Sequence, residues 1–216
     1  MNYLAHAYLA GDGPADRLGG LIGDFVKGPL PAGLPAEIAA GVRLHRQIDV
    51  YADAHPAFRR SRARVSPLRS RFGGVIVDMV YDHFLARHWA NFAPEPLEVF
   101  AARMYRLMAE HAPLLPARAV EVLPRMREGD WLSAYRSTEV IALALDRMSA
   151  RLRRANHFAG GGEELLRDYA GFEADFFAFI TDAARFAAAC REQRPDAETP
   201  TGAGAGKRPP PQVRGP

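Results

Sequence analysis

The fold class follows from one stretch, residues 66–92, with the sequence S-P-L-R-S-R-F-G-G-V-I-V-D-M-V-Y-D-H-F-L-A-R-H-W-A-N-F. Its apolar residues predict one long helix from about Ser66 to Phe92, because they recur near the helical period of 3.6 residues. Strand-like alternation is scarce in the rest of the chain, whereas helical periodicity recurs. We therefore predict an all-α protein of roughly eight or nine helices, packed as a single compact multi-helix domain over residues 1–191.

Proline and glycine mark the ends of the other predicted helices. The residue before a proline disfavours the helical conformation, so His55-Pro56 ends the helix that precedes it. Six prolines and four glycines fall in residues 192–216, which we predict to be a disordered tail. The longer predicted helices cover about 2–10, 16–26, 35–54, 97–111, 131–154 and 163–190.

The composition indicates a soluble enzyme of the cytoplasm. The chain has 216 residues, with 48% hydrophobic and 25% charged residues, which is ordinary for a globular domain. Its single cysteine, Cys190, excludes an internal disulfide and a Cys₄ zinc site. The first residues, M-N-Y-L-A-H-A-Y-L-A, lack a basic leader and form too short an apolar run, so we expect neither a signal peptide nor a membrane span.

Two groups of histidine and carboxylate residues lie in apolar helical text. The motif H-R-Q-I-D places His45 and Asp49 four residues apart, and D-M-V-Y-D-H does the same for Asp78 and Asp82. Residues at this spacing share one helix face, with Cβ atoms about 5–6 Å apart. His83 points about 100° away from Asp82, since each helical residue turns by that angle.

Polar residues also interrupt the two apolar segments nearest the N-terminus. Asn2 and His6 are four apart, and Asp24 lies near the end of an apolar helix. Burying so many carboxylates without cations costs several kcal/mol per ion. A divalent metal resolves this conflict, and mixed imidazole and carboxylate ligands suit Mn²⁺, Fe²⁺ or Zn²⁺. A purely structural role stays open for both groups. His6 would then be a hydrogen-bonded histidine of the core, and Asp24 would form an ion pair with Lys27.

The arginine segment, residues 59–71, contains six arginines and no acidic residue. The rest of residues 1–191 is mildly acidic. Such a basic patch attracts acidic partners, although a solvated basic face would give the same pattern.

Four sequence blocks resemble the bacterial acyl carrier protein phosphodiesterases. They are N-Y-L-A-H (Asn2–His6), G-D-F-V-K-G (Gly23–Gly28), H-R-Q-I-D (His45–Asp49) and D-M-V-Y-D-H-F-L-A-R-H-W (Asp78–Trp89). The resemblance covers most of residues 1–185 and implies a fold like that of the metal-dependent HD phosphohydrolases. The adjacent pair in that superfamily is usually His then Asp, and this chain has the inverted order, Asp82-His83.

The resemblance implies a metal-dependent phosphodiesterase that removes 4′-phosphopantetheine from holo acyl carrier protein and leaves the apo form. The expected cofactor is Mn²⁺, with Mg²⁺ or Fe²⁺ as substitutes. Its expected ligands are Asp24, His45, Asp82 and His83.

The same resemblance implies roles for the other polar residues. Asp78 and Asp49 would support the ligands or act as general base, with Asp24 also taking part in catalysis. His6 and Arg46 would also take part in catalysis. His6 would line the site together with Asn2, which would contact the substrate, and Arg46 would reach the phosphate. Acyl carrier proteins are strongly acidic, so the expected docking residues are Arg59, Arg60, Arg62 and Arg64.

Two other functions remain compatible with the residues. One is an HD-like phosphohydrolase acting on a nucleotide or alarmone, and the other is a non-catalytic helical protein that binds the carrier protein or nucleic acid. We expect no nucleic-acid partner, because the basic patch has few aromatic residues near it, such as Phe72, and no recognised motif accompanies it. We expect no membrane partner either.

Overall fold

A computed structural model describes residues 1–152 and 156–194, and all regular structure in these two ranges is helical. This confirms the predicted all-α class. The α-helices in the first half are α1 Tyr3–Leu9, α2 Pro14–Ile22, α3 Ala36–Ala54, α4 Pro56–Arg64, α5 Gly73–Arg87 and α6 Leu97–Glu110. Those that follow are α7 Ala117–Glu128, α8 Trp131–Ala134, α9 Thr138–Ala150, α10 Gly162–Arg167 and α11 Tyr169–Glu192. Short 3₁₀ turns occupy Gly23–Phe25, Pro67–Phe72, Trp89–Asn91 and Ala112–Leu114.

These described ranges hold eleven α-helices, more than the eight or nine predicted, because two of the longest predicted helices are each divided into two, and a third is shortened by 3₁₀ turns at its ends. Residues 66–92 contain a 3₁₀ turn, then α5, then a second 3₁₀ turn. The predicted helices over 131–154 and 163–190 are each divided by a new N-cap. Ser137 accepts a hydrogen bond from the Val140 backbone N–H, and Asp168 accepts one from the Gly171 N–H. Such caps start a helix and so end the one before it. The predicted disordered tail lies outside the described residues from position 195 onward.

Helix α5 forms the centre of the molecule. It packs against α1, α4, α9 and α11, which explains why its sequence is apolar on nearly every face. Its fully buried hydrophobic side chains are Ile76, Val77, Val80, Tyr81, Phe84 and Leu85.

Helices α2 and α3 approach each other unusually closely. A Cβ atom on Gly19 would lie 2.4 Å from the backbone of Gly41, so only glycine fits at this crossing. The close approach brings the polar residues of α3 next to α1 and to the turn that follows α2.

No helix in the described part of the chain combines the length and the hydrophobicity that a membrane-spanning segment requires.

Candidate metal centre

His6 of α1 and the pair His45 and Asp49 of α3 meet in one cluster. His6 Nε2 lies 3.1 Å from Asp49 Oδ1, and His45 Nε2 lies 3.3 Å from Asp49 Oδ2. One possible ligand atom from each of the three residues lies within 4.8 Å of the other two. Among the described residues, no other set of three histidine, cysteine or acidic side chains meets this condition.

The tautomer of His45 is fixed by the backbone. Its Nδ1 lies 2.9 Å from the carbonyl oxygen of Gly20, which can only accept, so Nδ1 is the donor. In the neutral ring Nε2 therefore carries a lone pair, and this lone pair faces the carboxylate of Asp49. An imidazole held by a carbonyl on one nitrogen, with the other nitrogen beside a carboxylate, has the arrangement of a metal ligand.

His6 is held neutral in the same cluster. Its ring stacks on that of His45, with 3.6 Å between centroids. Burial, together with the charge that His45 can carry, lowers the pKa of His6 to about 3. Among the described residues, His6 Nδ1 is a buried nitrogen without a hydrogen-bond partner. A neutral imidazole is the form that binds a metal.

Asp49 is ionised and contacts both imidazoles and the amino group of Met1. Burial alone would raise the pKa of Asp49, but the two imidazoles and the amino group of Met1 outweigh it and hold the pKa well below its usual range. The Met1 amino group lies 2.9 Å from Asp49 Oδ1 and 2.9 Å from Asp78 Oδ1. Burial disfavours its charge, yet Asp78 and Asp49 raise the pKa of this amino group to about 11.

Two glycines in the sequence G-G-L-I-G, residues 19–23, make room for the cluster. A Cβ on Gly23 would lie 2.2 Å from Cγ of His45, inside the imidazole. A Cβ on Gly20 would lie 2.9 Å from the carbonyl oxygen of His6. The sequence reasoning missed both residues, although a short glycine-rich run inside an apolar helix was the available signal.

A hollow of about 560 Å³ opens beside the cluster. Asp49 lines it together with Asp24, Lys27 and Asp78, while the two histidines lie behind Asp49. Asp24 Oδ1 lies 3.8 Å from His45 Nε2 and 3.8 Å from Lys27 Nζ, and its side chain is 43% exposed. Asp24 is thus a carboxylate at the mouth of the cluster, open to a ligand entering from solvent.

Asp82, predicted as a metal ligand, accepts hydrogen bonds from the start of α1. Its two carboxylate oxygens accept the backbone N–H groups of Leu4 and Ala5, each at 2.9 Å. The carboxylate therefore satisfies donors that the first turn of a helix leaves free. Burial raises its pKa to about 7, against the opposing effect of these two bonds.

His83, the other half of the inverted pair, also has partners away from the cluster. Nδ1 donates to the carbonyl oxygen of Tyr135 at 2.9 Å, so Nε2 accepts from the Tyr169 hydroxyl, also at 2.9 Å. Burial lowers the pKa of His83, which keeps the ring neutral. Asp82 and His83 point in different directions from α5, as their angular separation predicts.

Arg46 and Asn2, expected to contact the substrate, also bind within the chain. Arg46 Nη2 donates to the carbonyl oxygens of Val26 at 2.9 Å and Gly28 at 2.7 Å, which fixes the loop after Asp24. Asn2 lines the hollow, and its amide Nδ2 lies 2.9 Å from Met79 Sδ.

The arginine segment is largely engaged by carboxylates of the same chain. Nε of Arg60 and Nε of Arg64 each lie 2.8 Å from Asp175, and Arg69 lies 3.0 Å from Glu164. These contacts join the segment to α10 and α11. The sequence could not reveal them, because the acidic partners lie about a hundred residues further along the chain.

The two remaining predicted docking arginines approach the end of α3. Arg59 Nε donates to the Asp53 carbonyl oxygen at 3.1 Å, and Arg62 Nη1 lies 3.5 Å from the Asp53 carboxylate. That this segment docks an acidic partner stays a prediction.

Comparison with known proteins identifies the family. The profile of the acyl carrier protein phosphodiesterases matches residues 1–183. The chain belongs to the acyl carrier protein phosphodiesterase family. This confirms the resemblance drawn from the four sequence blocks, and with it the expected enzyme class, a phosphoric diester hydrolase.

Curated acyl carrier protein phosphodiesterases align along nearly their whole length. The protein of that name from Serratia proteamaculans is 34% identical over 180 residues, which is 83% of this chain and 93% of the relative. That from Klebsiella pneumoniae is 32% identical over 188 residues, covering 87% and 97%. That from Escherichia coli O157:H7 is 31% identical over 180 residues, covering 83% and 93%. No solved structure gives a significant match, so the expected likeness to HD phosphohydrolases stays a prediction.

The cluster fits a divalent cation. Two imidazoles and one ionised carboxylate form a mixed nitrogen and oxygen donor set, which suits a first-row divalent metal. The Nε2 of neutral His45 and the Asp49 carboxylate are two acceptors 3.3 Å apart, and a metal cation or a proton between them satisfies both. His6, His45 and Asp49 are therefore the residues that could hold a metal.

Proposed function

We propose that this acyl carrier protein phosphodiesterase hydrolyses the phosphodiester between 4′-phosphopantetheine and the serine of holo acyl carrier protein, in the cytoplasm and with bound Mn²⁺. The observation that carries the proposal is the convergence of His6, His45 and Asp49 beside an open hollow. When bound there, a divalent cation supplies Lewis-acid stabilisation of a phosphoryl oxygen and lowers the pKa of water.

The side chains around the hollow divide the remaining tasks. His6, His45 and Asp49 hold the cation, and the Gly20 carbonyl keeps the Nε2 lone pair of His45 available. Asp24, exposed at the mouth, is placed to accept the proton of the attacking water. Lys27, whose side chain is 82% exposed, offers a positive charge to the anionic phosphoryl group. Asp78 supports the centre indirectly, because it binds the Met1 amino group that also binds Asp49.

A gel-shift assay of holo to apo carrier protein, with and without Mn²⁺, tests this function. We expect turnover that requires the metal, and its loss in His45→Ala and Asp49→Ala, while both variants keep the helical circular dichroism. His111→Ala is a suitable control, because the His111 side chain forms a hydrogen bond with the carbonyl oxygen of Leu107, at the C-terminal end of α6. Full activity in His45→Ala would refute the proposed centre.

Metal analysis provides a readout that does not depend on turnover. Wild-type protein reconstituted with Mn²⁺ and desalted is expected to retain the metal stoichiometrically, and Asp49→Ala to lose it. Equal retention by both proteins would place the cation elsewhere.

A further inference from the structure

A groove of about 650 Å³ adjoins the hollow at the candidate metal centre. Tyr3, Phe25, Met79 and Met148 line both cavities, so the two form one continuous depression. The groove is bordered mainly by α7, α8 and α9. Its volume lies within the range of about 300–1,000 Å³ that is typical of ligand sites.

The floor of the groove is apolar and partly open to solvent. It includes Val122, Trp131, Val140 and Leu143. Leu143 is 48% exposed, so part of this floor is an apolar surface that a ligand in the groove would contact.

The rim of the groove is basic. It carries Arg118, Arg125, Arg147 and Arg151, all exposed, and a single acidic residue, Glu128. Arg118 pairs with Glu121 at 2.7 Å. In residues 1–152 and 156–194, the other three rim arginines have no carboxylate partner within 4.0 Å. They differ in this from Arg60, Arg64 and Arg69 of the arginine segment, whose charges are engaged by α10 and α11.

We infer that this groove, rather than the arginine segment, is the docking surface for the holo carrier protein, with the pantetheine arm along its apolar floor and an acidic face of the carrier on its arginine rim. The inference rests on the proposed function. It names where the protein substrate binds relative to the candidate metal centre.

The chemistry of the arm agrees with the two adjoining cavities. The arm begins at the phosphodiester, which must reach the hollow beside Asp24 and Asp49 for hydrolysis. Its continuation holds a gem-dimethyl group, two amides and a terminal sulfur, an amphipathic chain that suits an apolar floor with a polar rim. An acyl group on the sulfur would extend over the exposed face of Leu143. Unpaired arginines at the edge supply the charge that attracts an acidic protein and orients its approach.

The docking test compares two triple variants that remove the same charge. Arg125→Gln/Arg147→Gln/Arg151→Gln neutralises the groove rim, and Arg43→Gln/Arg87→Gln/Arg106→Gln neutralises three exposed arginines outside it. Binding of apo carrier protein, measured by calorimetry at low salt, reports docking without turnover. We expect the rim variant to weaken binding about 10-fold or more and the control to change it less than about 3-fold.

A second pair of variants tests the position of the arm. Leu143→Glu puts a charge on the groove floor, and Leu166→Glu puts one on α10, where Leu166 is 65% exposed. Both sites are open to solvent, so both variants should fold. We expect Leu143→Glu to raise the KM for holo carrier protein about 10-fold while leaving apo carrier binding nearly unchanged, because the apo form lacks the arm.

Three results separate failure of the inference from failure of the proposed function. Wild-type-like binding by the rim variant overturns the inference. So does a larger loss in Arg59→Gln/Arg62→Gln, which would move docking to the arginine segment. If wild-type protein fails to convert holo to apo carrier in Mn²⁺, the proposed function fails, whatever the binding data show.

Discussion

Gly23→Ala is expected to damage the candidate metal centre without touching a ligand. The added Cβ would lie 2.2 Å from Cγ and 2.4 Å from Nδ1 of His45, whereas ordinary contact begins at 3.4 Å. The imidazole must therefore move by about 1.2 Å, the difference between 3.4 and 2.2 Å. Gly23 begins the 3₁₀ turn that follows α2. Moving the imidazole ring displaces fewer atoms than moving this turn, so we expect the ring to move.

The movement has two separate costs. Overpacking of a filled core destabilises a protein by about 1–3 kcal/mol. In a domain of this size each kcal/mol lowers Tm by about 2–4 °C, so we expect a Tm decrease of about 2–12 °C. Displacement by about 1 Å also breaks the 2.9 Å bond from Nδ1 to the Gly20 carbonyl oxygen and turns Nε2 away from Asp49. A misplacement of this size costs about 100-fold in rate.

The assay measures metal affinity, kcat/KM for holo carrier protein and Tm in the same preparation. Gly74→Ala is the matched control, because Gly74 also lines the hollow and an added Cβ there has no atom within 4 Å. We expect the control to match wild type in all three measurements. A Gly23→Ala protein with wild-type Mn²⁺ affinity and turnover would refute the assignment of His45 as a ligand held in place by this glycine.

The remaining predictions concern stability and pH. Asp82→Ala should lower the free energy of unfolding in urea, because each of the buried N–H groups of Leu4 and Ala5 loses its acceptor at a cost of about 1–3 kcal/mol; folded Asp82→Asn should still bind Mn²⁺ like wild type, and loss of binding would make Asp82 a ligand. Burial opposes ionisation of Glu164, but hydrogen bonds from Ser66 and two arginines outweigh it and lower its pKa from the ordinary 4.5 to about 2. Its stabilisation is therefore complete above pH 4.5 and is lost as the pH falls towards 2, so acid unfolding of Glu164→Gln should depend less on pH over that interval. Mn²⁺ at 100 times its Kd should raise the Tm of wild-type protein by about 5–10 °C, since binding at that ratio contributes about 2.7 kcal/mol; an unchanged Tm would argue against a site in the folded protein.

Local features of the fold were predictable from the sequence, and pairings between distant helices were not. The spacing of His45 and Asp49 predicted a shared face, and their side chains do meet, at 3.3 Å. Helix breaks at prolines were also predictable, because proline acts on its immediate neighbours. The breaks at Ser137 and Asp168 were missed, since a polar residue starts a new helix only when its side chain turns back to the backbone.

The same distinction explains the candidate site. His6 was expected to line the site and take part in catalysis, and it was not expected as a metal ligand, yet α1 brings it onto the ring of His45. Asp82 had the spacing of a ligand, but its partners are backbone N–H groups of another helix, which have no side-chain signature in the sequence. Helical periodicity indicates which face is buried, and it does not indicate which helix covers that face.

The hydrogen bonds from the start of α1 to Asp82 have a consequence for folding during synthesis. Helix α1 has only seven residues, too few to be stable alone, and the carboxylate that caps it lies 77 positions or more along the chain. During synthesis, the first-turn N–H groups of α1 therefore lack this acceptor until α5 has left the ribosome. A nascent chain shorter than this leaves α1 without its cap, so we expect the candidate metal centre to reach its final geometry late, after α1 has docked on α5.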